Sequence, residues 1–198
     1  MIWRVRRVVT GHDADGKSII LSDGIASNMK EMPSFPGLAL TDLWETKAAP
    51  ASNAGDADAA ERPIHLEPPK NGTILRIVEF PPDSTRPQDS DGREGFKAIG
   101  AGHVQDRKSS DPMMHRTNTI DYIVVLKGEI YAVMEKGETL LKPGDVFIQR
   151  GTMHSWSVRG TEPCIIAVVL VSSKPLSLGS KKKPPAKKRP AKKAKKKK

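Results

Sequence analysis

Short apolar segments separated by glycine-containing turns fill the chain from residue 120 to residue 172. In order they are IDYIVVLK, IYAVMEK, TLLK, VFIQ, MHSWSV and CIIAVVLVS. Short segments at this close spacing are typical of antiparallel β-strands. No segment after residue 25 keeps a 3.6-residue apolar period, so we expect little helix. Closure into a sandwich or barrel hides the edges of so many strands, and the pattern therefore predicts an all-β fold.

Strand signals are weaker in the first 71 residues. MIWRVRRVVT and KSIILSDG flank the turn sequence GHDADG, which predicts a hairpin. One further strand is expected at Leu38–Lys47, before AAPASNAGDADAAERP, a stretch that predicts a long exposed loop. The polar residues 83–95 predict another loop, after GTILRIVEF resumes strand character. We therefore expect N-terminal strands and a polar loop packing on the barrel over 1–71, the barrel itself over 72–175 and a tail over 176–198.

The tail holds the excess positive charge of the chain. The formal net charge is +10, and residues 181–198 contain eleven Lys, one Arg and no acid, which leaves residues 1–180 at −2. Such a segment has no large apolar residue and repels itself, so we expect it to be disordered. It would bind nucleic acid without base reading, by neutralising phosphates, or serve only to solubilise or loosely tether the protein. The residues that would contact a polyanion are Lys181, Lys182, Lys183, Lys187, Lys188, Arg189, Lys192, Lys193, Lys195, Lys196, Lys197 and Lys198.

The remaining composition describes one domain in the cytoplasm. No run approaches the roughly 18 apolar residues of a membrane-spanning helix, and the N-terminus lacks the apolar region and cleavage site of a secretory signal. A single cysteine, Cys164, excludes an internal disulfide and a thiolate zinc cluster. Any metal bound by this chain would have to use imidazole and carboxylate ligands.

Three such ligands occur in the strand-rich half: His115, Asp121 and His154. His115 and Asp121 are six residues apart, so their side chains share a face if both lie on one extended segment. With His154 they would form a two-histidine, one-carboxylate site that leaves coordination positions open for substrate, water or dioxygen. By spacing alone, the alternative is that the three are unrelated surface residues.

Two motifs in this half resemble those of the cupin superfamily. The first is HRTNTIDYIVVLKG, residues 115–128, and the second is GDVFIQRGTMH, residues 144–154. In cupins the first motif contains His-x-His, then Glu, then six residues and Gly; the second ends in Gly-x-x-His. Asp121 keeps the six-residue gap to Gly128, and the Gly-x-x-His ending is intact. The resemblance implies a cupin-type antiparallel β-barrel, or jelly roll, with additional N-terminal strands.

The first motif departs from the cupin pattern at two ligand positions. Asp121 stands where cupins have Glu, and Thr117 stands where they have a second His. The second motif lacks its Pro. The resemblance then implies one divalent metal on His115, Asp121 and His154, with iron or zinc favoured over manganese, nickel or copper. Thr117 or His103 would supply an additional ligand or a polar group of the pocket. The alternative is a degenerate cupin that keeps the pocket and has lost the metal.

The resemblance also implies a function. We expect a metal-dependent enzyme that acts on a small aromatic, carbonyl or carboxylate substrate by dioxygenation, decarboxylation, isomerisation or dehydration. Ile123, Val125 and Trp156 should line its pocket. The alternatives are a noncatalytic ligand-binding module, tethered to polyanions by its tail, and a storage or structural cupin. Cupins commonly pair through their sheets, so we expect a homodimer with a strand from Trp3–Thr10 at the interface.

Overall fold

The computed structural model describes residues 2–32, 34–87, 92–106 and 108–177. The basic residues of the predicted tail, 181–198, lie outside this part of the chain. The described residues form eleven strands, a 3₁₀ turn at Asp83–Thr85 and one α-helix, α1, at Gly92–Ala98. The strands are β1 (Arg6–His12), β2 (Ser18–Ile25), β3 (Met29–Glu31), β4 (Ala39–Thr46), β5 (Thr73–Phe80), β6 (Thr119–Lys127), β7 (Ile130–Met134), β8 (Glu138–Leu141), β9 (Val146–Arg150), β10 (His154–Ser157) and β11 (Cys164–Ser172).

All strand pairs in the described residues are antiparallel, which confirms the predicted all-β class. Six strands form one sheet in the order β3-β4-β5-β11-β6-β9, and three form a second in the order β10-β7-β8. The apolar faces of both sheets contribute to a single core, in which Ile130 and Ala132 of β7 lie with Ile123 of β6 and Ile166 of β11. The β1–β2 pair is the predicted hairpin and forms a separate two-stranded sheet.

Strand β11 lies at the centre of the larger sheet, paired along its length with β5 on one side and β6 on the other. Its nearly uninterrupted apolar sequence fits a strand flanked in this way, because few of its side chains reach water. Cys164 opens the strand and has no exposed surface. Burial raises the pKa of its thiol to about 12, so the side chain acts as a small apolar core residue.

The larger sheet extends N-terminal to residue 72, the predicted first residue of the barrel. Strands β3 and β4 both precede that residue, and β4 pairs with β5 with one irregularity in register between Asp42 and Trp44. Leu38 and Leu40 point into the common core. Pairing between strands so far apart in sequence depends on this apolar face, which composition alone does not reveal.

Helix α1 corrects the prediction of a continuous polar loop over residues 83–95. It spans seven residues and buries Gly95 and Phe96. Phe96 enters the core, while a Cβ at Gly95 would lie 3.2 Å from the ring of Phe35. A helix of two turns with one large apolar residue has no measurable 3.6-residue period, so the sequence pattern misses it. No helix in the described residues has the length and apolar character needed to cross a membrane.

Gly128 makes the tight turn between β6 and β7. Its φ is 72°, a left-handed conformation that residues with a Cβ rarely adopt. A Cβ at this position would lie 2.4 Å from the carbonyl oxygen of Pro163. The turn therefore needs glycine for two independent reasons, conformation and space.

Candidate functional site

A cavity of about 130 Å³ lies within the core, between the sheets and helix α1. Most of its wall is apolar and comes from α1, the segment before β4 and the inward faces of β4, β5, β6 and β11. Six of the side chains in the wall carry ionisable groups: Arg76, Asp83, Arg86, His115, Asp121 and His154. Chemistry in this cavity therefore depends on a few polar groups in an otherwise apolar space.

Two of these groups, His115 and His154, lie side by side. The backbone N–H of each donates to the carbonyl oxygen of the other at 2.9 Å, and their ring centroids are 4.3 Å apart. Each Nδ1 lies within hydrogen-bonding distance of the carbonyl two residues earlier, that of Met113 at 2.8 Å and that of Thr152 at 3.0 Å. Because a carbonyl oxygen can only accept, Nδ1 carries the proton in both neutral rings, and both Nε2 lone pairs are free to bind a metal or accept a proton.

Burial keeps both rings uncharged. It lowers the pKa of His154 to about 3, an effect to which the neighbouring His115 adds. Burial also lowers the pKa of His115, opposed by its bond to the Met113 carbonyl and by Asp111. A neutral imidazole is the form that binds metals, so the pair would be ready to coordinate an ion without first losing a proton.

Asp121 lies on the inward face of β6, opposite Leu170 of β11 and Gln149 of β9. It is 5% exposed, and within the described residues its Oδ1 has no hydrogen-bond partner. Burial raises the pKa of this carboxyl to about 6, although the hydroxyl of Thr119 and the positive charge of Arg76 oppose the rise. Near neutral pH this is a buried carboxylate with an unsatisfied oxygen, which a cation or a proton would stabilise.

Aromatic rings surround the histidine pair. Phe96 of α1 lies 4.8 Å from the His115 ring, and Trp156 lies 5.8 Å from the His154 ring in an edge-on arrangement. Trp156 in turn contacts Phe80 and Phe147. The imidazoles are thus shielded from bulk water on both sides, which explains their low pKa values.

The other residues predicted for the site are distributed around it. Ile123 and Trp156 line the cavity, while Val125 is buried in the core outside its wall. Thr117 is buried, and its hydroxyl forms a 2.6 Å hydrogen bond with that of Thr119. His103 is 65% exposed, and its Nε2 lies 2.8 Å from the Glu67 carboxylate, so it does not join the histidine pair.

The donors in the cavity wall are of the kind that binds a divalent metal. Two imidazoles with free Nε2 lone pairs and a buried carboxylate with an unsatisfied oxygen match the preferences of iron, zinc and related ions. Among the described residues, however, no three His, Cys, Asp or Glu side chains are gathered closely enough to form a metal site. The structure therefore brings the imidazoles together as a pair, with Asp121 elsewhere on the same cavity wall.

Arg76, Asp42 and Phe96 are absent from the set of residues predicted for the site. Arg76 is 1% exposed and lines the cavity, paired across β5 and β4 with Asp42. The sequence does contain a signal for it. In GTILRIVEF, Arg76 alternates with Ile74 and Val78, so it occupies an inward position of an otherwise apolar strand. Phe96 gives no such signal because its helix is too short.

Curated proteins from fungi are similar to this chain over most of its length, although no protein-family model matches it. The cupin-domain-containing oxidoreductase virC of Hypocrea virens is 27% identical over 182 residues, covering 87% of this chain and 78% of its own. The cupin-domain-containing oxidoreductase fogC of Aspergillus ruber is 26% identical, covering 90% and 78%. Phomopsin biosynthesis cluster protein C' of Diaporthe leptostromiformis is 29% identical, covering 88% and 82%.

These similarities agree with the antiparallel fold and with the two motifs that carry His115, Asp121 and His154. Over most of its length the chain is similar to proteins named for a cupin domain, in agreement with the resemblance of its two motifs to those of cupins.

Proposed function

We propose that this protein is a cupin enzyme that converts a small, largely apolar organic substrate at the His115–His154 pair. The observation that carries the proposal is the geometry of that pair: two buried neutral imidazoles, 4.3 Å apart, in the wall of an apolar cavity. Relatives named as cupin-domain-containing oxidoreductases and as a biosynthesis cluster protein support an enzyme over a structural role. An apolar cavity favours aromatic or carbonyl-bearing molecules over sugars.

His115 and His154 would hold one divalent metal through Nε2, with Asp121 as the third ligand and iron or zinc as the ion. When bound, such an ion polarises a carbonyl or carboxylate oxygen, or supports redox chemistry with dioxygen. The chain's own contribution is to keep both imidazoles neutral and oriented by the Met113 and Thr152 carbonyls. Its apolar walls exclude water from the reacting group.

Turnover of a pooled set of aromatic ketones, phenols and keto acids, followed by mass spectrometry in air and under nitrogen, tests this function. We expect conversion of at least one compound by the wild type, lost in His115→Ala and His154→Ala. His12→Ala, a change on the exposed β1–β2 hairpin, should retain it. Conversion that persists in both site variants would contradict the proposal.

A second candidate function is a noncatalytic cupin that binds a small ligand without metal. The observation that favours it is that Asp121 is not gathered with the two imidazoles in the described structure. In that case the wild type would bind an apolar ligand in the cavity but would convert none of the pooled compounds and retain no metal.

We also propose that two copies pair through their sheets, as expected from the cupin resemblance. Tyr122 and Leu126 of β6 and Val146 and Ile148 of β9 are exposed on the outer face of the larger sheet, and Tyr122 pairs directly with Ile148. A patch of this kind is typical of an interaction surface. Sedimentation analysis of the wild type beside a Tyr122→Lys, Ile148→Lys variant tests the pairing: a dimer that becomes a monomer supports it, and a monomeric wild type contradicts it.

The Lys-rich tail is proposed as a nonspecific polyanion-binding segment on its composition alone. Binding of duplex DNA by the full chain should fall steeply with salt and disappear when residues 181–198 are deleted. Binding that survives the deletion would contradict the proposal. The cytoplasmic location expected from the sequence stays a prediction.

A further inference from the structure

Arg76 places a positive charge in the wall of the cavity. Its side chain is 1% exposed, and it follows the inward parity of β5, on which Val78 and Phe80 also line the cavity. Burying a guanidinium in an apolar core has a large desolvation cost unless partners compensate it. The hydrogen-bond partners of Arg76 within the protein therefore decide which of its N–H groups can still bind a ligand.

Asp42 is the main partner of Arg76 and is itself fully buried. Nε and Nη2 of Arg76 donate to the two oxygens of Asp42 at 2.5 and 3.0 Å. Nη2 also donates to the carbonyl oxygen of His65 at 2.5 Å, whereas the contact from Nη1 to the carbonyl oxygen of Leu66 is 3.5 Å long. A distance of 3.5 Å lies beyond the normal range for N–H···O bonds, so Nη1 is the underused part of the guanidinium.

A second arginine shares the same carboxylate. Nη1 of Arg62 lies 2.9 Å from Oδ2 of Asp42, and Nε of Arg62 lies 2.5 Å from Glu45. Asp42 and Glu45 together balance the formal charges of the two arginines, so the binding capacity that remains on Arg76 is the long contact at Nη1. A negatively charged oxygen in the cavity, within reach of Nη1, would accept a charge-assisted hydrogen bond there.

The register of the sheet places Arg76 across the cavity wall from Asp121. Arg76 of β5 pairs with Val168 of β11, which pairs with Ile123 of β6; Asp121 lies two residues from Ile123 on the same face. One strand separates the two side chains, so a molecule that contacts Arg76 can extend toward the site at Asp121. The other arginine of the wall, Arg86, is 31% exposed and already contacts Asp83 and the face of Phe35.

We propose that Arg76 binds the carboxylate of the substrate, so that the substrate class is a small apolar acid held at one end while its reacting group meets the histidine pair. This inference rests on the proposed function and adds the acid group to it. Arg76 acts here as a positioning and specificity residue, because it binds a part of the substrate distant from the reacting atoms. Because Nε and Nη2 already bond Asp42 and His65, the contact is a charge-assisted hydrogen bond from Nη1 to one carboxylate oxygen.

Calorimetric titration of the full chain with 2-naphthoate and with its uncharged analogue 2-naphthamide tests the inference. We expect Arg76→Gln to weaken naphthoate binding by about tenfold or more, and naphthamide binding by less than about threefold. Arg76→Lys keeps the charge, but its single terminal nitrogen has to serve both Asp42 and the substrate, so the loss of naphthoate affinity should be intermediate. Arg6→Gln is the matched control, because Arg6 makes a similar two-point pair with Asp23 on the exposed β1–β2 hairpin, and it should bind both compounds as the wild type does.

Asp42→Asn separates a binding role from a purely structural one. The variant breaks the ion pair and lowers the unfolding midpoint, but it leaves the guanidinium in place with less compensation, so naphthoate should bind at least as tightly as in the wild type. If Arg76 is only structural, Asp42→Asn and the two Arg76 variants should lower the affinities for naphthoate and naphthamide by the same factor. This comparison stands even where Arg76→Gln fails to fold, because Arg76→Lys and Asp42→Asn carry it.

Three outcomes would overturn the inference. Equal affinity of the wild type for naphthoate and naphthamide would show that the cavity does not select an acid, and parallel losses in the Arg76 variants would assign Arg76 to stability alone. Both results leave the proposed function intact. If neither naphthoate nor naphthamide binds, the proposal of an apolar substrate cavity is wrong, and with it the role of Arg76.

Discussion

His115 and His154 exchange both of their backbone hydrogen bonds, at 2.9 Å in each direction, across an isolated antiparallel bridge. The bridge joins the segment before β6 to the first residue of β10, so the two motifs of the sequence meet at this point. Each ring is then fixed by a bond from Nδ1 to its own chain two residues earlier. The pair therefore depends on backbone geometry as much as on side-chain identity.

The two buried imidazoles should make the metal-free protein sensitive to acid. Their pKa values are lower in the folded protein than the ordinary 6.5, so between about pH 3 and 6.5 the unfolded chain binds protons that the folded protein does not, and stability falls as the pH falls. Asp121 acts in the opposite direction. The pKa of its carboxyl is about 6 in the folded protein and 3.8 in the unfolded chain, so its contribution to the free energy of unfolding is lost as the pH rises from 3.8 through about 6. Two histidines outweigh one carboxyl, so we expect the chelator-treated protein to be about 2 kcal/mol less stable near pH 5 than near pH 7.5 by urea unfolding.

The variant His154→Gln tests whether the buried histidines cause this sensitivity to acid. The variant removes the ring whose pKa burial lowers to about 3, so its loss of stability between pH 7.5 and pH 5 should be less than half that of the wild type. An unchanged pH dependence in this variant would mean that His154 is not the buried neutral group described here.

Asp121→Asn should stabilise the metal-free protein near pH 7.5 while weakening metal binding. The amide cannot ionise, so the cost of holding a charged carboxylate in the core disappears, a gain of about 1–2 kcal/mol after allowing for the new buried N–H groups. Near pH 4 the native carboxyl is protonated and the gain should vanish. A gain of the same size at both pH values would point to packing and not to charge.

Phe96→Ala should destabilise the fold and uncover the histidine pair. The ring is 5% exposed and lies 4.8 Å from the ring of His115, so its loss should cost about 3 kcal/mol in urea unfolding. Affinity for an apolar ligand such as 2-naphthamide should fall with it. Lys97→Ala, in the same helix but with a side chain 63% exposed, should change the free energy of unfolding and the naphthamide affinity only slightly. Equal effects of the two substitutions would place Phe96 outside the cavity wall.

Gly128→Ala should be more destabilising than Gly137→Ala, although both glycines have positive φ, at 72° and 84°. A Cβ at Gly137 has open space around it, whereas one at Gly128 meets the Pro163 carbonyl. We expect about 1 kcal/mol for Gly137→Ala from backbone conformation alone, and about 3 kcal/mol or more for Gly128→Ala. Equal losses would remove the steric argument for the β6–β7 turn.

Local patterns in the sequence predicted the strands of the second half, because glycine turns and apolar runs determine them without reference to distant residues. The hairpin at β1–β2 was predictable for the same reason. The inclusion of β3 and β4 in the larger sheet was not, since it depends on which distant strand their apolar faces meet. Helix α1 was missed because seven residues hold too few apolar positions to show a period.

In the candidate site, too, the local sequence predicted the residues but not the contacts between distant segments. The motifs gave His115, Asp121 and His154, and the structure places all three in the wall of one cavity. The sequence could not show that the imidazoles lie as a close pair while the carboxylate stays apart, because that depends on the bridge between two strands and on the length of the aspartate side chain. Arg76 could have been found from its inward parity among Ile74 and Val78.

Elemental analysis of the protein, purified without chelator or metal-affinity resin and then reconstituted with iron(II) or zinc, tests whether the histidine pair is a metal centre. The His154→Ala variant and the exposed control His12→Ala are measured beside the wild type. We predict near-stoichiometric metal in the wild type and in His12→Ala, and its loss in His154→Ala. Full metal content in His154→Ala, or none in the reconstituted wild type, would contradict the assignment of the histidine pair as a metal centre.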